Sequence, residues 1–252
     1  MSQLGVPLVD FWQASNLELI GFPIEPERAL EQSWWESLAG ADYESTRKRH
    51  ERVDVGAFDE KSLFLTIDAL RVKWTLGPLV KISAADGVGA VPFAGPFPET
   101  CGRFSSLMAR WLNDSCPPIR RLAFGAKLLI PTEGREPSYE LLDRWLSAVK
   151  VDQSSTDFQY RINRKRSSAS GLSGLEINRL STWSAVKMEV GMQVMASGAA
   201  RAISRETYGC MLQIDINTHA ERKEELPRDR LLPLWEELVR FGSEIAALGD
   251  VP

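Results

Sequence analysis

The sequence predicts an α+β protein of antiparallel sheets with helices packed on one face, and three observations carry that expectation. An order of elements reads twice: strand, helix, a run of strands, helix. Several segments alternate apolar and polar residues with the period of two that a half-buried strand requires. Others space apolar residues three and four apart, the stripe of a helix lying on a sheet. Together they predict two pseudo-repeated β-α-β(3-4)-α halves, residues 1–118 and 119–252, joined as one continuous unit.

In the first half, residues 17–22 are apolar apart from Glu18 and Gly21, enough for a short strand. A helix over 27–38 follows, with Leu30, Trp34 and Leu38 at helical spacing and Gly40 as its stop. Residues 41–55 are polar and charge-rich and read as a loop. The clearest hairpin is 61–76: Leu63, Leu65 and Ile67 alternate on one strand, and Leu70, Val72, Trp74 and Leu76 on the next, about a turn at Asp68 and Ala69. A third strand over 79–83 and a Gly/Pro-rich loop over 84–98 come next. Phe104, Leu107, Met108, Trp111 and Leu112 then mark a helix that Cys116-Pro117-Pro118 ends.

The second half opens with a strand over 119–130 in which Leu122, Phe124, Ala126, Leu128 and Ile130 alternate. Ser138 is placed to cap a helix over 138–149. Four strands follow, over 158–166, 175–181, 183–194 and 207–217, with a Ser/Gly-rich hairpin tip at 167–174. An amphipathic helix over about 229–248 closes the chain, and Pro233 places its start at Asp229 or later.

Composition excludes more than it selects. With 44% hydrophobic and 25% charged residues the chain has the makings of an ordinary folded core. The net charge of −4, from 30 basic and 34 acidic residues, opposes the positive field that duplex binding needs. Cys101, Cys116 and Cys210 are scattered and odd in number, which together with the lack of an export signal or an apolar span predicts free thiols in a cytoplasmic protein with no membrane contact.

No chemistry-bearing motif stands out. His50 and His219 are far apart in charged contexts, and no Cys/His spacing suits zinc, so no metal or cofactor is expected. There is no nucleophile elbow and no phosphate-binding glycine loop. Cys210, beside Gly209 and Met211, reads as a buried apolar thiol. Trp34 and Trp35, adjacent in a helix, cannot both face one core.

One constellation invites a functional reading. By strand parity, Gln159, Arg161, Asn163 and Lys165 share a face. Glu176 with Asn178, Lys187 with Glu189 and Gln193, and Gln213 with Asp215 and Asn217 extend it across neighbouring strands. The bland account is a solvated face of cross-strand pairs; the sharper one is a polar recognition surface. Two Ile-Asn-Arg triplets put Arg164 and Arg179 on the apolar side, where each is a rim residue or needs an anionic partner. The candidate partner-binding residues are therefore Arg161, Asn163, Arg164, Lys165, Asn178 and Arg179. On this reading, reversing the charge of Arg161 and Arg179 together abolishes association and leaves the melting temperature almost unchanged.

The hairpin Phe64-Leu-Thr-Ile-Asp-Ala-Leu-Arg-Val-Lys-Trp74, the strand Leu175-Glu-Ile-Asn-Arg-Leu180 and the ending Met211-Leu-Gln-Ile-Asp-Ile-Asn217 are similar to those of a sporadically distributed, uncharacterised bacterial family whose members are of about this length. The resemblance brings no catalytic residues. Its patchy distribution implies a toxin–antitoxin or phage-defence accessory. The element order also resembles the helix-grip and TBP-like folds, whose members bind lipids, small ligands, nucleic acid or proteins.

The leading expectation is thus a non-catalytic recognition protein that binds a protein partner in a bacterial conflict or regulatory system. A first alternative is a small-molecule sensor with a helix-grip cavity lined by Leu212, Ile214, Trp235 and Leu238. A second is an enzyme using Glu176, Glu189 or Asp215 beside Arg161, which requires two carboxylates to converge in a cleft. A third is a nucleic-acid-binding accessory using Arg47, Lys48, Arg49, Arg161, Lys165 and Arg166.

Overall fold

Strands from both halves of the chain are neighbours in one antiparallel sheet, and helices cover one of its sides. The structure, a computed structural model, describes residues 8–40, 42–79, 91–196, 199–219 and 221–250, with backbone only at 8, 190–196 and 199–205. The strands are β1 (Gln13–Pro23), β2 (Tyr43–Lys48), β3 (Glu51–Phe58), β4 (Lys61–Ile67), β5 (Val72–Pro78) and β6 (Gly95–Pro96), then β7 (Ile119–Thr132), β8 (Gln159–Asn163), β9 (Arg166–Ser167), β10 (Glu176–Ala196) and β11 (Ala199–Thr218). The helices are α1 (Pro26–Leu30), α2 (Trp35–Ala39), α3 (Phe97–Asp114), α4 (Arg135–Trp145) and α5 (Arg228–Leu248). The sheet runs β2-β3-β4-β5-β1-β7-β11-β10-β8, with β6 on β1 and β9 on β10.

The centre of the sheet is the pairing of β1 with β7, in which Leu19 faces Phe124 and Glu18 faces Gly125. Period-two alternation sends Leu17 and Leu19 of β1, and Leu122, Phe124 and Leu128 of β7, into the helix-covered core. Helix α3 presents Phe104, Leu107, Met108 and Trp111 to that core, and α5 presents Leu231, Leu234, Trp235, Leu238 and Phe241. Trp235 stands edge-on to both Phe104 and Phe124, so one indole ties α5 to α3 and to β7.

Several expectations need correction. Residues 41–55, expected as a loop, contain β2 and most of β3. The inward positions of this edge hairpin carry the Arg52–Asp54 ion pair (2.7 Å), and Ser45 donates to Asp54 (2.5 Å), in place of an apolar stripe. A polar inner face at a sheet edge has no hydrophobic period to read. The helix expected over 27–38 is two short ones. Trp34 lies before α2 and not within it, so both tryptophans are buried: Trp34 against Trp111, and Trp35 between Tyr43 and Trp74. Leu70 is 66% exposed in a turn held by Asp68, whose carboxylate accepts from the backbone N–H groups of Leu70 and Arg71. The strand expected over 79–83 lies outside the described residues beyond Leu79, as does 84–90 of the loop.

In the second half, α4 starts at Arg135. Ser138 sits inside it and donates to the carbonyl of Gly134, so it is not the cap. The strands expected over 175–181 and 183–194 are the single strand β10. Thr182 makes no turn, because it pairs with Gln213 on one side and Arg161 on the other. Continuity resets the parity: Lys187 and Glu189 fall on the same side of the strand as Trp183, opposite to Asn178. Pro233 lies in the second turn of α5, which begins at Arg228. The proline is exposed, so the carbonyl that it leaves without an intrahelical partner meets water.

Helix α5 approaches β7 at Gly242, where an added Cβ would lie 2.5 Å from Phe124 Cε1 and 3.4 Å from Ile214 Cγ2. The Phe124 ring is also held edge-on by Trp235, 5.6 Å between centroids, in a closely packed core that leaves it little room to yield. Gly242→Ala is therefore expected to destabilise the protein by about 1–3 kcal/mol, although alanine is the better helix former. A denaturant titration in which Gly242→Ala matches or exceeds the parent in midpoint would show that this contact is not tight.

Candidate functional site

The sheet side opposite the helices carries a groove of about 560 Å³ spanning β1, β7, β11, β10 and β8. Strand register arranges the residues in and beside it as rows running across the strands. The first row is Asn16, Lys127, Gln213, Thr182 and Arg161, each opposite the next. The second is Glu18, Gly125, Asp215, Leu180 and Asn163. The third is Ile20, Ala123, Asn217 and Asn178. The floor is low at its centre because Gly125 and Ala123 lend almost no side chain. The nearest atoms that a Cβ at Gly125 would meet are in the side chain of Glu18, at 3.4 Å, and the carbonyl of Ile214, at 3.8 Å, both ordinary contact distances.

A ladder of amides crosses three strands beside the groove. Asn163 donates to Asn178 (3.0 Å), Asn178 to Asn217 (3.0 Å), and Asn217 to the carboxylate of Asp215 (2.8 Å). The side-chain oxygen of Asn163 accepts from the backbone N–H of Arg179 (3.0 Å), which fixes the ladder's outer end. Asn163 and Asn178 point their donors towards β11, Asn217 donates along it, and the chain ends on the one group that only accepts.

The acids and bases of the groove differ in what they already hold. Glu18 lies 3.6 Å from the ammonium of Lys73, and Asn16 reaches it at 3.5 Å. Asp215 takes the end of the amide ladder. Lys127 and Arg161, by contrast, are exposed and have no ion pair or hydrogen bond among the described residues. Arg121, below the groove, lies 4.4 Å over the ring of Phe22, and burial depresses its pKa while the nearby Asp215 charge opposes that shift.

The six residues singled out from the sequence separate into two groups. Arg161, Asn163 and Asn178 lie on the open side, Arg161 in the groove and the asparagines in the ladder. Lys165 sits at the sheet margin, 3.6 Å from Glu176. Arg164 and Arg179 point to the helix side. Arg164 grips Asp250 with two donors (2.6 and 2.8 Å), and Tyr160 adds a third bond to the same carboxylate (2.9 Å). Arg179 is not a rim residue: it is 1% exposed, lies 5.1 Å over the ring of Phe241, and has one carboxylate, Glu244, at 3.4 Å. Desolvation depresses its pKa, only partly offset by Glu244. Charge reversal there strikes the core, so the double reversal of Arg161 and Arg179 tests folding and not association.

Of the carboxylates weighed for acid–base work, Asp215 alone shares the groove with Arg161. Glu176 is at the margin and Glu189 lies on the other side of β10. The positions proposed for a helix-grip cavity, Leu212, Ile214, Trp235 and Leu238, are all buried within the packed core. Burial pushes the Cys101 and Cys210 thiols up to about 12, and Cys116 higher still, which leaves them unreactive as nucleophiles.

Sequence reasoning missed Glu18, Gly125 and Lys127. The alternation over 119–130 already places Gly125 and Lys127 off the core face; what it lacked was the pairing of that strand with β1 and β11. No family model matches the chain, and no curated protein sequence matches it.

The Asp250 carboxyl is held below its ordinary range, first by the hydrogen bond from Arg164, against the opposing effect of burial. A lowered folded-state value means that the stability it contributes is fully present above about pH 4 and is lost as pH falls through the lowered value. Asp250→Asn is expected to cost about 1–3 kcal/mol at neutral pH. The gap from the parent should narrow as melting is followed down from pH 5 to pH 2.5. A gap that stays constant would assign the loss to packing instead.

Proposed function

We propose that this chain is a non-catalytic recognition protein whose partner, a second protein, binds on the open side of the sheet over the Gly125 groove. One observation carries the reading: the groove holds two exposed cations, Lys127 and Arg161, with no ion pair or hydrogen bond among the described residues, on the side of the sheet that the helices leave uncovered. The other side is covered by α3, α4 and α5 over a tryptophan-rich core. Mixed charge on a flat surface suits selection among partners, because a like charge or an unpaired group penalises the wrong one.

The nucleic-acid reading has less to draw on. Arg47 is paired with Glu31, Lys165 with Glu176 and Arg166 with Glu244, so each basic run has a member already neutralised. No helix among the described residues is long and apolar enough to cross a membrane. We read the two halves as a duplication: β1 is followed by a meander that returns to pair β5 with it, as β7 is followed by one that returns β11. A role in a toxin–antitoxin, phage-defence or regulatory system fits a two-sided sheet with one side free for a partner.

Two variants test the placement without touching the core. Gly125→Leu fills the groove and removes no polar group; its backbone is not in the left-handed region, so leucine is tolerated. Arg161→Glu reverses an exposed charge. Affinity capture of the tagged protein from its native cells should recover a partner with the parent chain and at least about tenfold less with either variant, at unchanged melting temperature. Equal recovery by all three would move the binding surface elsewhere.

A further inference from the structure

We infer that the groove takes an extended acidic segment of the partner, whose carboxylates pair with Lys127 and Arg161; the inference rests on the binding face proposed above. The first argument is the asymmetry between the groove's charges. Glu18 is ion-paired with Lys73 and one oxygen of Asp215 accepts from the Asn217 amide, whereas Lys127 and Arg161 have neither an ion pair nor a hydrogen bond among the described residues. What remains unmet in the groove is a demand for negative charge and hydrogen-bond acceptors.

The second argument is the span. Lys127 on β7 and Arg161 on β8 belong to one row, separated by β11 and β10. Three strand spacings put their Cα atoms roughly 14 Å apart. Side chains that stand straight off the sheet keep their charges about as far apart as their Cα atoms, wider than a single carboxylate or phosphate group, whereas an extended peptide covers that distance in about four residues. Between the two cations lie Gln213 and Thr182, an amide and a hydroxyl that both donate and accept. They suit a peptide backbone, which offers carbonyls and N–H groups in alternation. The low floor at Gly125, one row along the strands from Lys127, leaves room beside that row for the partner's side chains.

Fluorescence anisotropy of fluorescein-labelled hexaglutamate at low ionic strength tests this, with hexalysine as the opposite-charge control. Citrate and inorganic phosphate serve as small-anion competitors. Hexaglutamate should bind and should weaken as salt is added. Lys127→Glu and Arg161→Glu should each reduce its affinity at least about tenfold, and Gly125→Leu should abolish binding. Thermal melts of the same samples confirm that each variant is folded. Three results would overturn the inference: no hexaglutamate binding, equal binding by parent and variants, or hexalysine binding as tightly. Citrate or phosphate binding by titration calorimetry to the parent and not to Lys127→Glu, without any hexaglutamate binding, would likewise replace the peptide with a small anion. If partner capture depends on the groove but hexaglutamate does not bind or compete, only this inference falls. If capture is indifferent to Gly125→Leu, the binding face itself is wrong, whatever the peptide does.

Discussion

The pairing of β1 with β7 is the constraint on which everything else depends. It joins two meanders that would otherwise be separate sheets, and it gives α3 and α5 a common platform. Two consecutive residues of β7 show how it works. Phe124 fills the helix side and is gripped by Trp235 and by the bare backbone of Gly242. Gly125, the next residue, empties the opposite side and makes the low point of the groove. Because strand residues alternate in direction, a one-residue slip of β7 would put the phenyl ring in the groove and a void in the core. The same register thus sets both the packing and the site.

The amide ladder extends that control outward. Asn163, Asn178, Asn217 and Asp215 lie on three strands and bond only when β8, β10 and β11 are in register. Individually such bonds on a half-exposed face are worth little, about 1 kcal/mol or less each. Collectively they select one alignment, and this alignment brings Arg161 into line with Thr182, Gln213 and Lys127. The helix side is locked in a different way, by burial: Arg179 under Phe241 and Arg164 on Asp250 fasten the outer strands to α5 and the chain beyond it.

How much of this was legible depended on whether an element has an apolar side. The hairpin of β4 and β5, the strand β7 and the helices α3 and α5 bury regular stripes, and their periodicity showed it. The edge hairpin of β2 and β3 buries an ion pair in place of a stripe, so nothing in its pattern distinguished it from a loop. Strand β10 divides at Thr182 in the sequence reading, into 175–181 and 183–194, yet Ser181 and Thr182 pair as ordinary strand residues. Within the site, the polar side chains of β8 and β11 were visible by parity. The groove's far wall was not, since Glu18 and Lys127 join it only through pairings between distant parts of the chain.

That distance has a consequence for how the protein reaches its fold. Leu19 and Phe124 are neighbours in space but about a hundred residues apart in sequence, a separation that makes closure of the sheet slow relative to its local hairpins. At synthesis rates of about 5–20 residues per second, β1 waits roughly 5–20 s for β7 to be made. During that interval β2 to β5 can assemble against one edge of β1, while the other edge stays largely bare, an open template for any passing strand. The short strand β6 pairs with only Gln13 and Ala14 and covers little of it. The nascent first half is therefore most vulnerable to aggregation at the seam that later becomes the middle of the finished sheet.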